Sequence, residues 1–418
     1  MPVGIGDKRV WILECHRAGD HAQCVGLAHA IGWGFEVKHI AYIWYELLPN
    51  MLIESGLMRI DASLFGTEAG LLGIDRRKSS PLTPPWPDLV ISAGRRNEVA
   101  ANWIGRKSGG RTKVVLVGRT WTAPGKADLV IATPQYRLPP HPNQLINELP
   151  MHIVDETAQA RGAAVWGLRW ASLPRPWIAV FVGGTSGPYI FDAATGDRLA
   201  WEVAAVARET GGSLMVTTSA RTPKSVLRSL EAASDVPMYV HEWRRGNGEN
   251  PYPALLALAD RFIVTGDSMS MLAEAASTQK PLQIFEFGSG LVPMHGPWST
   301  SRRMRLTDWF RQRPSTLVNA LFISLPPFKL NRSRDIRIMQ DILLRSRRGV
   351  WLGEDMTRLR PSPTMDLERA VKRVKALFSA EESAVALRSK ASAPRESVDQ
   401  MAFGEPVQPA RKARTRVG

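Results

Sequence analysis

The segment WIAVFVGGTSGP, residues 177–188, indicates the fold class of this chain. Its apolar part, Trp177–Val182, is continuous rather than alternating, as in strands that are buried on both faces of a parallel sheet. Four more apolar runs follow, each after a helical pattern, at 213–217, 238–240, 262–265 and 282–285. We therefore predict a doubly wound α/β domain over residues 173–300.

The N-terminal segment has the same organisation, which predicts a second Rossmann-like domain over residues 1–172. Its short runs rich in Val, Ile and Leu predict buried strands at 10–13, 35–40, 88–92, 113–117 and 128–132. The predicted fold class is therefore α/β, with two doubly wound domains. At the other end of the chain, residues 379–418 are rich in Ser, Ala, Pro and Arg and are predicted to form a disordered tail.

The 418 residues carry a formal net charge of +15, which is concentrated in two segments. Residues 91–126 hold eight Lys and Arg against one Glu, and residues 301–350 hold twelve against three Asp. The rest of the chain is therefore close to neutral. Basic patches favour anionic partners such as nucleic acids, phosphorylated small molecules or acidic membrane surfaces. The sequence has no zinc-finger or RNA-recognition signature, so no specific nucleic-acid partner is predicted.

Two segments are candidates for membrane contact. Residues 301–378 are predicted to form a basic helical extension, in which an apolar stripe between residues 336 and 343 is flanked by arginines. We expect its basic face either to attach to acidic lipids or to be a solvated surface packed on the second domain. The aromatic and apolar segment 42–53 is expected to belong to the core, with a membrane-contacting patch as the alternative.

The chain has two cysteines, Cys15 and Cys24, which is typical of a protein in a reducing compartment. No apolar run is long enough for a transmembrane helix, and the N-terminus does not have the pattern of a signal peptide. We therefore expect a cytoplasmic protein that can lie peripherally on the inner face of the membrane. The spacing of Cys15, His16, His21 and Cys24 matches no standard zinc motif, so no metal site is predicted.

Several strand ends of the second domain carry groups that suit a phosphorylated ligand. Glycine N–H groups, hydroxyls and helix N-termini bind phosphate, and a carboxylate one helical turn further in can accept hydrogen bonds from ribose. Each motif also has a plain structural interpretation: a glycine turn, a capped helix, a loop entering a helix or a surface charge. The candidate ligand-binding residues are Gly183, Gly184, Thr185, Ser186, Thr218, Ser219, Arg221, Asn250, Asp267, Ser268, Ser270, Met271 and Glu274.

Polar residues also follow two strands of the first domain, at the carboxyl edge of its sheet. Asp20 or His21 suits a general base, with helix capping by Asp20 and a solvated His21 as the alternative. The arginines that follow the strand at 88–92 form either an anion-binding edge or a solvated basic loop. The candidate residues at this edge are Gly19, Asp20, His21, Gln23, Gly94, Arg95 and Arg96.

The motifs of both domains together resemble one protein family. The second domain contains GGTSGPY (183–189), TTSARTP (217–223), NPYPALLALAD (250–260) and VTGDSMSMLAEAASTQKP (264–281), and the first contains GDHAQ (19–23) and AGRR (93–96). In this order and spacing they resemble the mitochondrial-fission ELM-type family. Its bacterial branch is described as glycosyltransferases, and its wider relatives have the GT-B fold. The resemblance covers about residues 8–290.

This resemblance implies that the two Rossmann-like domains face each other across a cleft. The second domain would hold a nucleotide-diphosphate sugar, with the diphosphate near residues 184–186 and the ribose near Glu274. The first domain would hold the acceptor, with Asp20 as the first candidate for the base and His21 as the second. The resemblance implies no metal and no further cofactor, because helix dipoles and basic side chains would stabilise the leaving diphosphate.

The expected function is transfer of a sugar from a nucleotide-sugar donor to an anionic cell-envelope glycan or lipid-linked acceptor. The candidate residues of the second domain would then bind the donor, and those of the first domain the acceptor. The alternative is a non-catalytic recruiting or binding protein of the same fold at a membrane. A sugar-nucleotide epimerase or dehydrogenase is less consistent with the sequence, because the first strand turn lacks GxGxxG.

Overall fold

The structure is a computed structural model of the chain. It describes residues 8–15, 17–42, 71, 73–120, 124–152, 155–186, 189–232, 235–244, 249–286, 294 and 334–392. The side chains of Ala18, Arg95, Arg96 and residues 380–392 are outside that description. The chain divides into two compact units, Met1–Leu377 and Phe378–Gly418. Both β-sheets lie within the first of these units.

The first sheet contains six parallel strands in the order β2-β1-β3-β4-β5-β6. The five predicted strands are present, whereas β6 was not predicted because it is three residues long and begins with a glutamine. Helices α1 (Ala18–Ile31) and α2 (Arg95–Lys107) follow β1 and β3. The strands are β1 (Val10–Leu13), β2 (Phe35–Lys38), β3 (Leu89–Ala93), β4 (Lys113–Val117), β5 (Leu129–Ala132) and β6 (Gln144–Ile146).

The second sheet also contains six parallel strands, in the order β12-β11-β10-β7-β8-β9. The strands are β7 (Trp177–Phe181), β8 (Ser213–Thr217), β9 (Met238–His241), β10 (Arg261–Thr265), β11 (Leu282–Phe285) and β12 (Val350–Trp351). The helices that accompany them are α3 (Glu156–Arg169), α4 (Ala193–Thr210), α5 (Lys224–Ala232), α6 (Tyr252–Leu258), α7 (Met269–Ser277) and α8 (Arg337–Arg345). The predicted fold class, with two doubly wound α/β domains, is confirmed.

The strand order places one topological switch point in each sheet. In the first sheet the chain leaves β1 in opposite directions to reach β2 and β3, and in the second sheet it does so around β7, which lies between β8 and β10. Every residue of β1, β3, β7 and β8 is buried. In open α/β sheets, ligands bind outside the carboxyl ends of the strands at such switch points. A ligand-binding site is therefore expected at the loops after β1, β3, β7 and β10.

The core of the second domain recruits elements from beyond the predicted span 173–300. Trp166 of α3 and the neighbouring Trp170 stack on Tyr239 of β9, upstream of the boundary predicted at 172/173. Met339 and Leu343 of α8 are fully buried in the same core, and β12 pairs with β11. Helix α8 and strand β12 of the predicted basic extension are thus integrated into the second domain, α8 through the apolar stripe that the sequence indicates.

Other predictions fall partly outside the described residues. Positions 301–333, which hold much of the second basic segment, and positions 43–53 of the aromatic segment are not described. Helix α9 (Asp366–Ser392) continues past residue 379, into the region predicted to be disordered, and residues 393–418 lie outside the description. Among the described residues, we find no helix that combines the length and apolarity required to cross a membrane.

The carboxylate of Asp366 fastens the start of α9 to the end of the first sheet. Its two oxygens accept hydrogen bonds from the backbone N–H groups of Glu148 and Leu149, each at 2.9 Å. Asp366 is 3% exposed, so water cannot replace these bonds if the carboxylate is removed. The link matters for the fold because α9 follows the second sheet in sequence but is bonded to the residues that follow β6 of the first sheet.

We expect the substitution Asp366→Ala to lower the free energy of unfolding by about 1–3 kcal/mol, because it removes the partner of the buried N–H of Leu149 and of the part-buried N–H of Glu148. Chemical denaturation measures this change. The control is Asp341→Ala in α8, whose side chain is 60% exposed and whose ion pair with Arg345 spans 3.7 Å. That control should change stability by less than about 0.5 kcal/mol. Equal losses in the two variants would contradict the role given to Asp366.

Candidate functional site

The glycine loop after β7 packs tightly against the loops that follow β8 and β10. The N–H of Gly183 donates to Thr265 Oγ1 at 2.8 Å, and the N–H of Gly184 donates to Asp267 Oδ2 at 3.0 Å. A Cβ on Gly183 would lie 2.2 Å from Asp267 Oδ1, and a Cβ on Gly184 would lie 2.1 Å from the backbone oxygen of Arg221. Only glycine fits at either position.

This packing changes the interpretation of the glycine motif. The sequence suggests that its N–H groups face an anion, but those of Gly183 and Gly184 are already bonded within the protein. The hydroxyl of Thr185 accepts from the N–H of Phe191 at 3.1 Å, and Ser186 forms a backbone bridge to Tyr189. The glycines are therefore explained by close contact with Asp267 and Arg221, and phosphate donors must come from other groups.

Arg221 and Asp267 form an ion pair that organises this loop. Arg221 Nη2 lies 2.8 Å from Asp267 Oδ2, and Arg221 Nη1 donates to the carbonyl oxygens of Gly184 and Thr185. The carboxylate is buried, whereas 45% of the Arg221 side chain is exposed. Burial raises the pKa of Asp267, and Arg221 opposes that shift. Asp267 is thus a support for the loop, and Arg221 is the charge that remains accessible.

Four other predicted ligand-binding residues are engaged locally. Thr218 Oγ1 accepts from the N–H of Trp243 at 2.8 Å, and Asn250 Oδ1 accepts from the N–H of Tyr252 at 3.1 Å. Ser219 Oγ lies 3.1 Å from Thr222 Oγ1, and Met271 packs against the second-domain core. These contacts match the structural interpretations of the motifs, in which polar side chains close turns and begin helices.

Helix α7 begins without a side-chain cap. Ser268 occupies the N-cap position, but its hydroxyl makes no hydrogen bond to the first turn. By contrast, Asp155 and Asp192 cap α3 and α4 through such bonds. Among the described residues, no side chain accepts a hydrogen bond from the first N–H groups of α7, which follow Asp267 at the switch point of the sheet. Uncapped helix N-termini attract anions through these groups and through the helix dipole.

Helix α1 of the first domain also begins without a side-chain cap and meets α7 directly. Arg17 occupies its N-cap position and makes no capping bond. A Cβ on Gly19 would lie 2.7 Å from Ser270 Oγ, so the first turns of the two helices are in contact. The structure thus brings together the predicted residues Gly19, Asp20, Ser268 and Ser270, although they are about 250 positions apart in sequence.

The electrostatic environment of this contact includes one arginine that sequence reasoning missed. Arg334 lies just before α8, donates through Nε to Gln135 Oε1 at 2.5 Å, and is within electrostatic range of Arg17 and Arg221. Burial lowers the pKa of Arg334, and the two neighbouring arginines act in the same direction. The only sequence signal for Arg334 was its place in the basic segment 301–350, which pointed to a surface.

Asp20 is the carboxylate within this basic group. Burial raises the pKa of Asp20, and Arg17 and Arg334 oppose that shift. No ion pair shorter than 4.0 Å joins Asp20 to any residue that the structure describes, so the carboxylate is held by long-range attraction. Tyr136 is in the same environment: burial raises its pKa, and Arg334 opposes the shift. Asp20 and Tyr136 are thus partly buried groups in the electrostatic environment of Arg334.

Glu274 lies one turn beyond Ser270 in α7. Its carboxylate accepts a hydrogen bond from the hydroxyl of Tyr252 at the start of α6. Burial raises the pKa of Glu274 to about 7, against the opposing effect of that bond. The group therefore changes charge near neutral pH. The second oxygen of its carboxylate can accept further hydrogen bonds, which fits the predicted role of Glu274 toward the ribose hydroxyls.

The remaining first-domain candidates lie in different local environments. His21 lies beside Cys15, which raises the pKa of the imidazole while burial opposes the shift. Gln23 donates to the backbone oxygen of Gly19 at 3.4 Å, within α1. Gly94 has a φ of 80° and precedes α2, which begins at Arg95. No group of three His, Cys, Asp or Glu side chains suited to a metal occurs among the described residues.

The fold and site define a protein of two Rossmann-like domains that meet at paired helix N-termini. The family model described as "Mitochondrial fission ELM1" matches residues 18–313. That match covers well over half of the chain and includes both helix N-termini, so the chain belongs to this family.

Two relatives extend the comparison. The Arabidopsis thaliana "Mitochondrial fission protein ELM1" is 27% identical over 242 residues, which are 52% of this chain and 56% of the plant protein. The chain thus spans little more than half the length of that relative. "Uncharacterized protein RP120" of Rickettsia prowazekii is 23% identical over 308 residues, which are 66% of this chain and 82% of the relative.

Solved structures with a similar arrangement include glycosyltransferases. MurG of Acinetobacter baumannii matches with a TM-score of 0.36 and 12% identity, covering 88% of this chain and 99% of MurG. Heptosyltransferase II of E. coli matches with a TM-score of 0.37 and 13% identity, covering 90% of this chain and 99% of the enzyme. Similarity at this level does not bear on function.

We expect Gly184→Ala to lower the free energy of unfolding by about 1–3 kcal/mol, because the new Cβ meets the backbone of Arg221 and cannot be relieved by rotating a side chain. The matched control is Gly34→Ala, where a Cβ meets nothing within 4 Å and φ is not left-handed. Thermal or chemical denaturation of both variants measures the difference. A neutral Gly184→Ala variant would contradict the packing role of this glycine.

Proposed function

We propose that this protein is a glycosyltransferase, which moves a sugar from a nucleotide-diphosphate sugar to an anionic cell-envelope glycan or lipid-linked acceptor. The observation that carries the proposal is the meeting of α1 and α7 at uncapped N-termini, with three arginines and one carboxylate around the contact. Such a site suits a diphosphate on one side and a general base on the other.

The leaving diphosphate would be stabilised by α7 and by arginines. The open N–H groups of its first turn and the exposed part of Arg221 supply positive potential on the second-domain side. Arg334 adds a further positive charge whose site is partly dehydrated, where electrostatic stabilisation is stronger than in water. These groups would oppose the negative charge that develops on the leaving group, and no metal ion enters the proposal.

Asp20 is better suited than His21 to be the general base. Its raised pKa makes the carboxylate a stronger proton acceptor than an ordinary aspartate, and it lies among the arginines that would bind the reacting anions. His21 is instead adjacent to Cys15, whose thiol interacts with the imidazole and raises its pKa. The acceptor would approach from α1, with its negative charge attracted by Arg17 and the basic segment 91–126.

A second function has one observation in its favour. The plant relative is named as a mitochondrial fission protein, which fits a protein that recruits or binds a partner at a membrane. In that case the fold would be used without catalysis. Cells that carry Asp20→Asn together with Glu274→Gln in place of the wild-type gene distinguish the two functions: retention of the wild-type phenotype supports recruitment, and loss of it supports catalysis.

For the transferase, we expect at least one uridine, guanosine, cytidine, thymidine or adenosine diphosphate sugar to be turned over in the presence of an envelope glycan or lipid-linked acceptor fraction. The substitution Asp20→Asn should lower the rate by about 10²–10⁴-fold, because it removes the base, and should leave donor binding within a few-fold. The control Asp341→Asn should keep the wild-type rate. Full activity of the Asp20→Asn variant would contradict the assigned base.

Binding of the donor should depend on pH through Glu274. Ribose hydroxyls donate to the ionised carboxylate, so affinity should rise as pH increases through about 7, where Glu274 loses its proton. The variant Glu274→Gln should bind weakly and lose this pH dependence. Tyr252→Phe removes the hydrogen bond that lowers the Glu274 pKa, so the rise should move to higher pH. Titration calorimetry from pH 5.5 to 8.5 measures the donor affinity. If the pH midpoint of the rise in affinity is unchanged in Tyr252→Phe, the coupling between Tyr252 and Glu274 is contradicted.

A further inference from the structure

Two buried thiols lie together behind the first turn of α1. Cys15 directly follows β1 and is 8% exposed, and Cys24 lies within α1 and is fully buried. Their sulfur atoms are 4.0 Å apart and hydrogen-bonded. These are the two cysteines of the entire sequence, so an intrachain disulfide can join no other pair. The thiols are free in the structure.

The surroundings make the two thiols unequal. A hydrogen bond from Cys24 lowers the pKa of Cys15 against the effect of burial, and His21 and the backbone N–H of Ala93 add to the lowering. The same hydrogen bond, together with burial, raises the pKa of Cys24. Asn97 Nδ2 also donates to the Cys15 sulfur at 3.9 Å. Cys15 is therefore the thiol that ionises more readily, and ionisation, which breaks its hydrogen bond to the carbonyl oxygen of Leu13 at 3.3 Å, gives the nucleophilic thiolate.

We propose that Cys15 and Cys24 form an oxidation site that a peroxide converts into an intrachain disulfide. The Cys15 thiolate attacks one peroxide oxygen, the O–O bond breaks, and a sulfenic acid and hydroxide result; the hydroxide takes a proton and becomes water. The Cys24 sulfur then attacks the Cys15 sulfur, the S–O bond breaks, and the leaving hydroxide departs as water with the thiol proton. Two thiols are oxidised, and one hydrogen peroxide is reduced to two waters.

Closure of the disulfide requires movement of α1. The sulfur atoms must approach from 4.0 Å to about 2.0 Å. Cys15 is anchored next to β1, which is paired on both sides with β2 and β3, so the helix is the part that can adjust. Nine positions separate the two cysteines, and the first turn of α1 with Gly19 lies between them. That turn contacts Ser270 of the second domain, so oxidation reaches the interdomain contact.

The test uses the reduced full-length protein and hydrogen peroxide, followed by intact mass measurement and peptide mapping under non-reducing conditions. We expect the wild-type chain to lose two hydrogen masses, to yield one linked peptide pair containing Cys15 and Cys24, and to return to the starting mass with a dithiol reductant. Cys24→Ser should stop at the sulfenic acid, which dimedone traps at Cys15. Cys15→Ser should react at least about tenfold more slowly, because Cys24 is buried and protonated.

Three results would overturn the proposal. The first is that both thiols of the peroxide-treated wild-type protein can still be alkylated once the protein is unfolded. The second is oxidation of Cys15 to sulfinic acid while Cys24 stays reduced, and the third is a disulfide between two chains. Circular dichroism of both serine variants establishes that they fold. None of these readouts requires transferase activity, so the oxidation site and the proposed function fail or stand independently.

Discussion

The buried carboxylate of Asp267 is the constraint on which the second half of the site depends. It accepts a hydrogen bond from the glycine loop after β7 and another from Thr265, and it pairs with Arg221 from the loop after β8. Three neighbouring strand ends are thereby fixed at the switch point of the sheet. A buried charge of this kind must keep its partners, because removal of one leaves an uncompensated ion. The start of α7 is held in place as a consequence.

Because the N–H groups of Gly183 and Gly184 are bonded within this network, a bound anion would depend on other groups. In the proposed function these are the uncapped first turns of α7 and α1 and the arginines that surround them. These groups come from four separate parts of the sequence, near residues 17, 221, 269 and 334. The candidate site therefore forms only when the two domains meet. Arg334, which precedes α8 of the second domain, donates to Gln135 of the first domain and so links the two beside the site.

The sequence predicted the two sheets well, because continuous apolar runs mark strands that are buried on both faces. It missed β6 and β12, which are too short to produce such a run, and it did not indicate that Trp166 of α3 packs in the core around the second sheet. Its candidate site residues follow strand ends, and some of them lie where α1 meets α7. It could not distinguish side chains that close their own turns, such as Thr218, from those that face outward, nor bring Arg334 to the contact.

If the proposed function holds, a nucleoside diphosphate binds where α1 meets α7. Titration calorimetry with the diphosphates of uridine, guanosine, cytidine, adenosine and thymidine tests it, with the free nucleosides for comparison. At least one diphosphate should bind more tightly than its nucleoside. Arg334→Gln should weaken that binding about tenfold or more, whereas Arg345→Gln, at a side chain that is 84% exposed, should not. Absence of binding by every diphosphate, or equal effects of the two substitutions, would contradict it.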